Sequence, residues 1–333
     1  MFPLSGVCGR FVSLQNRRSV IYYRSENDPA NNIRKNKIMM DFKDFSSPIL
    51  LQGDAVTAYR DPAVYYLDGT FFFFFTLVET EPDGKVYLYL ATSRTKDLRN
   101  FTPVEKLTPR DQSLNYSSPG NIIRFNNKFL ICCQTYCREN GEKFGNENSR
   151  IWTLESGDLI TWGEPQLLKV KGDHVPVQEM GRMIDPYLIQ NPEGEWYCFY
   201  KQNGVSFSRS ADLQHWEFCG STRCGENVCI LHDNGIYHMW HSPRNGVGEM
   251  ISTDLLHWQD TGRLITLDQE NWDWAKGRLT AGMVLDLRND PAVGKALLFF
   301  HGTGPEDESV VFDQYACIGF AWSDDLENWN CIP

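Results

Sequence analysis

S-T-D-L-L-H-W, from Ser252 to Trp258, is one of five renderings of a single phrase in this chain. The others are T-K-D-L-R-N-F from Thr95, S-G-D-L-I-T-W from Ser156, S-A-D-L-Q-H-W from Ser210 and S-D-D-L-E-N-W from Ser323. Asp and Leu hold in every copy, with a hydroxyl residue two positions before the Asp and an aromatic four positions after it. A phrase recurring at intervals of roughly 40 to 70 residues marks a repeat architecture. Chance Asp-Leu pairs would explain one or two copies, but not five with the aromatic in register. The residue types predict a strand running into a turn. The hydroxyl and the carboxylate can bond nearby backbone N–H groups, while the Leu and the aromatic fill the space between modules.

Working outward from the phrase, each module opens with a short strand, turns, and runs back as an aromatic-rich second strand. Module one has R-D-P-A-V-Y-Y from Arg60, a turn at Asp68-Gly69 and five consecutive Phe residues, Phe71 to Phe75. Asp-Gly between apolar runs is a strong hairpin signal, and the Phe run reads as a strand buried on both faces. Turns at Asn126-Asn127, near Glu193-Gly194, at Asn234-Gly235 and from Asn289 to Gly294 organise the other four. Five modules of this kind predict an all-β, five-bladed β-propeller with a central funnel-shaped site. Module five has almost nothing after Trp329, so the stretch from Pro48 to Gly53 is expected to supply its outer strand and close the ring. The propeller is expected over residues 46–333, and residues 1–45 read as a poorly ordered basic extension. An alternative for that extension is a working start at Met39 or Met40.

The 333 residues carry a net charge of −11 with no basic stripe, which argues against nucleic acid as a partner. No apolar run is long enough to span a bilayer, so no membrane partner is expected. Aromatic residues make up 13% of the chain, a composition that suits a site facing sugar. Of the ten cysteines, none forms a zinc-like spacing. With no apolar signal core at the start, they are expected to be reduced and the protein cytoplasmic. Nothing in the sequence sets the oligomeric state.

In a propeller the innermost strands converge on the axis, so the residues that open each module share one space. Those openings offer Arg60 and Asp61, Gly120 and Asn121, Arg182 and Asp185, Glu226 and Asn227, then Arg278 and Thr280. Asp61-Pro62 and Asp185-Pro186 set two carboxylates at matching positions two blades apart. Paired carboxylates across a sugar-sized gap are what glycosidic hydrolysis requires. An Asp-Pro that merely starts a strand is the plain alternative for either one alone.

The five D-L-x-x-W phrases, R-D-P in module one and I-D-P-Y-L-I in module three resemble the five-bladed glycoside hydrolases of families 43, 32, 62 and 117. The resemblance spans residue 46 to the C-terminus. It implies a glycosidase releasing a terminal sugar from a carbohydrate substrate, inverting, with Asp61 as general base; a retaining scheme with Asp61 as nucleophile is the next choice. Family 43 places an acid after a Pro in blade two, where this chain has Asn121, and a Glu in blade three, where it has Ile184 next to Asp185. Family 117 pairs two Asp residues with a His acid, which implies Asp61, Asp185 and, from H-M-W-H, His241. Glu226 and Glu179 are further proton-donor candidates. His232, His238 and His301 compete with His241, and His301 is a candidate for binding substrate or a metal. Arg60, Arg182, Asn121, Arg278 and Trp240 are expected to contact substrate, with Tyr59 and Trp274 as other stacking candidates. No cofactor is required by this chemistry, although some such propellers hold a calcium ion in the central channel. A catalytically silent carbohydrate-binding propeller and a glycoside phosphorylase, whose phosphate Arg60, Arg182 and Arg278 would hold, are the competing functions.

Overall fold

The computed structural model describes residues 39–333, and the expectations for residues 1–38 lie outside them. A short strand, β1 (Ile49–Leu51), precedes five sheets arranged as blades. Blade one is β2 (Thr57–Leu67), β3 (Thr70–Thr80), β4 (Val86–Thr95) and β5 (Glu105–Lys106). Blade two is β6 (Tyr116–Phe125), β7 (Lys128–Thr135), β8 (Ile151–Ser156) and β9 (Gln166–Leu167). Blade three follows as β10 (Ile184–Gln190), β11 (Trp196–Lys201), β12 (Val205–Ser210) and β13 (Glu217–Thr222). Blade four is β14 (Glu226–Asp233), β15 (Ile236–Ser242), β16 (Val247–Ser252) and β17 (Gln259–Ile265). Blade five holds β18 (Arg278–Leu287), β19 (Lys295–Thr303), β20 (Cys317–Ser323) and the two-residue β21 (Trp329–Asn330). In every blade the third strand runs directly into the phrase, as its residue types predict.

β1 pairs antiparallel with β20, Ile49 opposite Gly319 and Leu51 opposite Ile318, so the N-terminal strand closes the ring as expected. Residues 39–45, assigned to the extension by sequence, are instead part of the packed body. Phe42 and Phe45 are buried, with the Phe42 ring 5.5 Å from Trp322 and the Phe45 ring 4.9 Å from Phe320.

The phrase is a turn built from its own side chains. In Ser156–Trp162, the Ser156 hydroxyl accepts the N–H groups of Asp158 and Leu159, and Asp158 Oδ1 accepts those of Ile160 and Thr161. Every phrase Leu sits in the left-handed region, with φ from 58° at Leu98 to 67° at Leu326. That conformation costs a branched side chain roughly 1–2 kcal/mol. It is offset by burying each Leu, a transfer gain of about 1.5–3 kcal/mol. Three of the phrase aromatics reach back to the preceding blade: Trp162 to Phe74 at 5.2 Å, Trp258 to Phe199 at 5.9 Å and Trp329 to Trp240 at 6.5 Å, all edge to face.

The Phe run behaves as a strand sandwiched between neighbours. Phe73 faces Phe299 of blade five at 5.1 Å, while Phe74 faces the Trp162 of blade two. Alternation along a strand sends successive side chains to opposite faces, and here both faces are buried. The same alternation separates Cys132 and Cys133 into different core clusters. All nine described cysteines are free thiols.

Candidate active site

The register of every innermost strand breaks near its start, between Arg60 and Ala63, Ser117 and Asn121, Ile184 and Tyr187, Glu226 and Cys229, and Ala281 and Met283. The extra residue adopts a left-handed backbone in four blades: Asp61 (φ 50°), Ser118 (φ 42°), Asp185 (φ 52°) and Asn227 (φ 52°). A bulge of this kind re-aims a side chain, and a branchless Asx or Ser tolerates it best. In blade five the break falls at Gly282, where a Cβ would lie 2.6 Å from the Phe299 carbonyl oxygen and 2.7 Å from Pro62. Glycine is required there by close approach of blade one. The equivalent of Asp61 in blade two is thus Ser118. Asn121, expected at the funnel, instead stitches blade two to blade three: its Nδ2 donates to the Leu188 carbonyl at 2.7 Å and its Oδ1 accepts the Leu188 N–H at 3.0 Å.

The bulges open on a cavity of about 1120 Å³ lined by Arg60, Asp61, Asp185, Glu226, Arg278 and His301 among others. Asp61 is held by three blades. Thr76 Oγ1 of blade one donates to Oδ2 at 2.8 Å, Asn227 Nδ2 of blade four donates to Oδ1 at 3.0 Å, and the Asp61 N–H donates to Nδ1 of His301 in blade five at 3.2 Å. Thr76 Oγ1 in turn accepts the Ser118 N–H at 2.7 Å, which fixes the hydroxyl's proton on the Asp61 side. His301 is fully buried. Burial and the Arg60 charge push its pKa down, so the ring is neutral and its proton sits on Nε2, 3.5 Å from Glu308 Oε1. It lies behind Asp61 at the cavity wall and accepts that residue's N–H.

Asp185 is buried at 8% exposure and accepts from Ser118 Oγ at 3.0 Å, while its own N–H donates to Gln134 Oε1 at 2.6 Å. Burial raises its carboxyl pKa, Asp61 adds to the rise, and Lys201 works against it. The rest of the site is an ion-pair chain that the sequence reading lacked. Glu308 bridges Arg60 and Arg278, and Arg278 continues to Glu226 Oε1 at 2.6 Å, where Lys201 takes the other oxygen. Burial alone would raise the Glu308 pKa, but Arg60, His301 and Arg278 together hold it far below the usual carboxylate range. With a cation on each oxygen, Glu226 is built as an acceptor and not as a proton donor.

The other expected site residues lie elsewhere. His241 is buried inside blade four, where its Nδ1 accepts the Gly225 N–H at 3.0 Å, and it does not line the cavity. Trp240 is fully buried as the partner of Trp329. Glu179 is exposed at the rim of a neighbouring compartment. His238 pairs with Glu249 at 3.0 Å, His232 stacks on Tyr237, Tyr59 packs on Phe75 and Trp274 on Trp272. Arg182 does line the cavity, with its Nε donating to the Gly145 carbonyl at 2.8 Å.

Strand pairing puts the end of each second strand beside the bulge, so the loops that follow those strands overhang the cavity. Two are long, residues 136–150 and 304–316, and they meet over blade one. Arg138 forks onto Asp313 at 2.7 and 3.0 Å, and Phe312 lies 6.1 Å from Tyr136 and 5.1 Å from Phe144. Phe144 is 46% exposed and lines the cavity, the kind of ring a sugar can stack on. The 20 Å³ space beneath the cavity is lined by Asp61, Ser118, Asp185 and Asn227, whose polar atoms already bond one another. Among the described residues no group of three or more His, Cys, Asp or Glu could hold a metal, and calcium takes about six to eight oxygens.

No protein-family model matches the sequence, and no curated protein sequence matches it. Solved structures do match in fold. An exo-1,5-α-L-arabinanase from a bovine ruminal metagenomic library aligns at TM-score 0.56 and 13% identity, over 83% of this chain and 98% of that one. An arabinanase of Bacillus subtilis gives 0.56 and 15%, over 84% and 99%. An exo-β-1,3-galactanase of Clostridium thermocellum gives 0.58 and 12%, over 82% and 61%. The chain has the five-bladed propeller fold seen in glycoside hydrolases of family 43.

Proposed function

We propose that this propeller is a glycoside hydrolase that removes a terminal sugar with inversion, Asp61 serving as general base and Asp185 as proton donor. The observation that carries the reading is the pair of bulge carboxylates facing one cavity in unlike settings. Each Asp61 oxygen accepts one hydrogen bond from a fixed donor and keeps a free lone pair for the proton of an attacking water. Asp185 is buried with its pKa raised, the setting in which a carboxylic acid keeps a proton to give to a leaving oxygen. Two carboxylates on one cavity, one open to a water and one buried, suit a division of the base and acid roles between them.

The arch of residues 136–150 and 304–316 walls the cavity over blade one, which favours a chain end over the middle of a polymer. Solved propellers of the same fold include enzymes named exo-arabinanase, exo-galactanase and β-xylosidase, one with xylotriose bound. The test is release of reducing sugar from a panel of plant and algal oligosaccharides by the wild type and Asp61→Asn. Turnover of one substrate that is lost in the variant supports the reading. Binding without turnover by the wild type would favour a catalytically silent carbohydrate-binding propeller.

A further inference from the structure

A second compartment of about 800 Å³ opens off the main cavity and shares Arg182, Lys201, Glu226, Arg244 and Arg278 with it. Its acids are committed or remote. Glu226 is taken by Lys201 and Arg278, Glu147 Oε2 accepts the Arg182 backbone N–H at 3.2 Å, and Glu179 is exposed at the rim. Three cations are left over. The side-chain nitrogens of Arg182, Arg244 and Lys171 have no carboxylate oxygen within 4.0 Å among the described residues, and Arg182 gives only its Nε–H, to the Gly145 carbonyl. Arg244 helps hold the Asp307 carboxyl low, behind the hydrogen bonds from Ser309, without an ion pair between them. Lys171 is half-buried, and both burial and Arg150 oppose its charge with nothing opposite in sign to offset them. The chain carries a net charge of −11, yet among the described residues none of its acids pairs with these three side chains.

We propose that this compartment is a subsite for an anionic group on the carbohydrate, a carboxylate or a sulfate, held by Arg182, Arg244 and Lys171. The proposal rests on the reading of the main cavity as a carbohydrate site. A neutral sugar offers hydroxyls that leave the cations uncompensated, whereas the oxygens of a carboxylate or sulfate match the forked donors of an arginine. The main cavity would hold the terminal residue, and the side compartment the charged substituent or the charged neighbour. The substrate class is therefore acidic oligosaccharides.

The experiment is calorimetric binding to the full chain carrying Asp61→Asn, in which turnover is blocked, so that a failed hydrolase reading would leave the binding result standing. The probes are oligogalacturonides with their carboxyl-reduced counterparts, and sulfated galactan oligosaccharides with their desulfated counterparts. The expected result is that one acidic series binds about ten- to a hundred-fold more tightly than its neutral partner. Which series it is identifies the anion. The preference should collapse toward unity with Arg244→Gln, on an exposed loop, and with Lys171→Gln. Equal binding of acidic and neutral partners, no acidic binding at millimolar concentration, or a preference that survives both substitutions would overturn the proposal.

Discussion

Replacing Glu308 by Gln is a sensitive probe of how the site is held together. The side chain is 7% exposed and lies between Arg60, itself 7% exposed, and Arg278. Gln keeps the shape and one acceptor oxygen but sets an amide N–H₂ against the second guanidinium. Arg278 retains Glu226, while Arg60 is left with the Phe312 carbonyl at 3.2 Å and the field of Asp61. Removing one partner of a buried pair costs about 3–5 kcal/mol, because the remaining charge stays desolvated. At roughly 1.5–2 °C per kcal/mol for a chain of this size, melting should fall by roughly 5–10 °C. The pH dependence follows from linkage. Glu308 has a depressed pKa in the folded state, so its stabilisation is complete above the ordinary carboxylate pKa of about 4.3 and is lost as pH falls below it. Urea unfolding of wild type and variant at pH 7 should show the full gap, narrowing below about pH 4. A double substitution, Arg60→Met with Glu308→Gln, should recover part of the loss. A gap below about 1 kcal/mol at pH 7 that does not change on acidification would refute the reasoning, since that is the size of a surface pair.

Three further outcomes follow from the fold. Leu255→Ala removes a fully buried phrase leucine while leaving the left-handed backbone strained, and urea unfolding should show a loss of about 2–5 kcal/mol. Phe42→Ala should cost about 3–5 kcal/mol in the same assay if residues 39–45 belong to the packed body, and under 1 kcal/mol if they do not. The phrase aspartates all have lowered pKa values. For Asp97, burial would raise the value, but the Asn100 N–H and amide with the Arg99 N–H bring it to about 2. Asp158, Asp212, Asp254 and Asp325 are lowered mainly by the N–H groups and side chains that follow them. Their contribution is present above the ordinary aspartate pKa of about 3.9 and lost as pH falls through it, so the urea midpoint should hold from pH 7 to 5 and drop below about pH 4. Asp254→Asn with Asp325→Asn should flatten that drop, and an unchanged slope would count against the assignment.

The fold was legible because its signals are local. Each phrase carries its own turn chemistry, Asp68-Gly69 and Asn234-Gly235 both adopt positive φ as hairpin turns require, and Pro48–Gly53 holds the closing strand. Asp61 and Asp185 were legible as Asp-Pro pairs. What failed did so at the bulges. Counting by twos along a strand assigns positions correctly only while the pleat is unbroken, and a two-residue break in blade two placed Ser118, not Asn121, at the funnel. His241, which the resemblance implied as the acid, is instead buried by its strand against Gly225 and Gly248. Glu308 sits in a loop with no period to read. The available signal was the length and acidity of residues 304–316, which follow a second strand and so overhang the site. Lys201, at the end of β11, and Thr76, within β3, could have been found by pairing them back to the openings, since Thr76 lies opposite Arg60 and Lys201 opposite Ile184.

The division of labour between Asp61 and Asp185 is tested most directly by leaving-group dependence. The measurement compares kcat/KM of wild type, Asp185→Asn and Asp61→Asn on two glycosides of the sugar the wild type releases. One carries a dinitrophenyl group, which departs without a proton, and the other a sugar, which needs one. Asp185→Asn should lose about 10²- to 10⁴-fold on the sugar leaving group and little on dinitrophenyl, whereas Asp61→Asn should lose activity on both. Equal losses by Asp185→Asn on the two substrates, or an Asp61→Asn protein that remains active on both, would contradict the account.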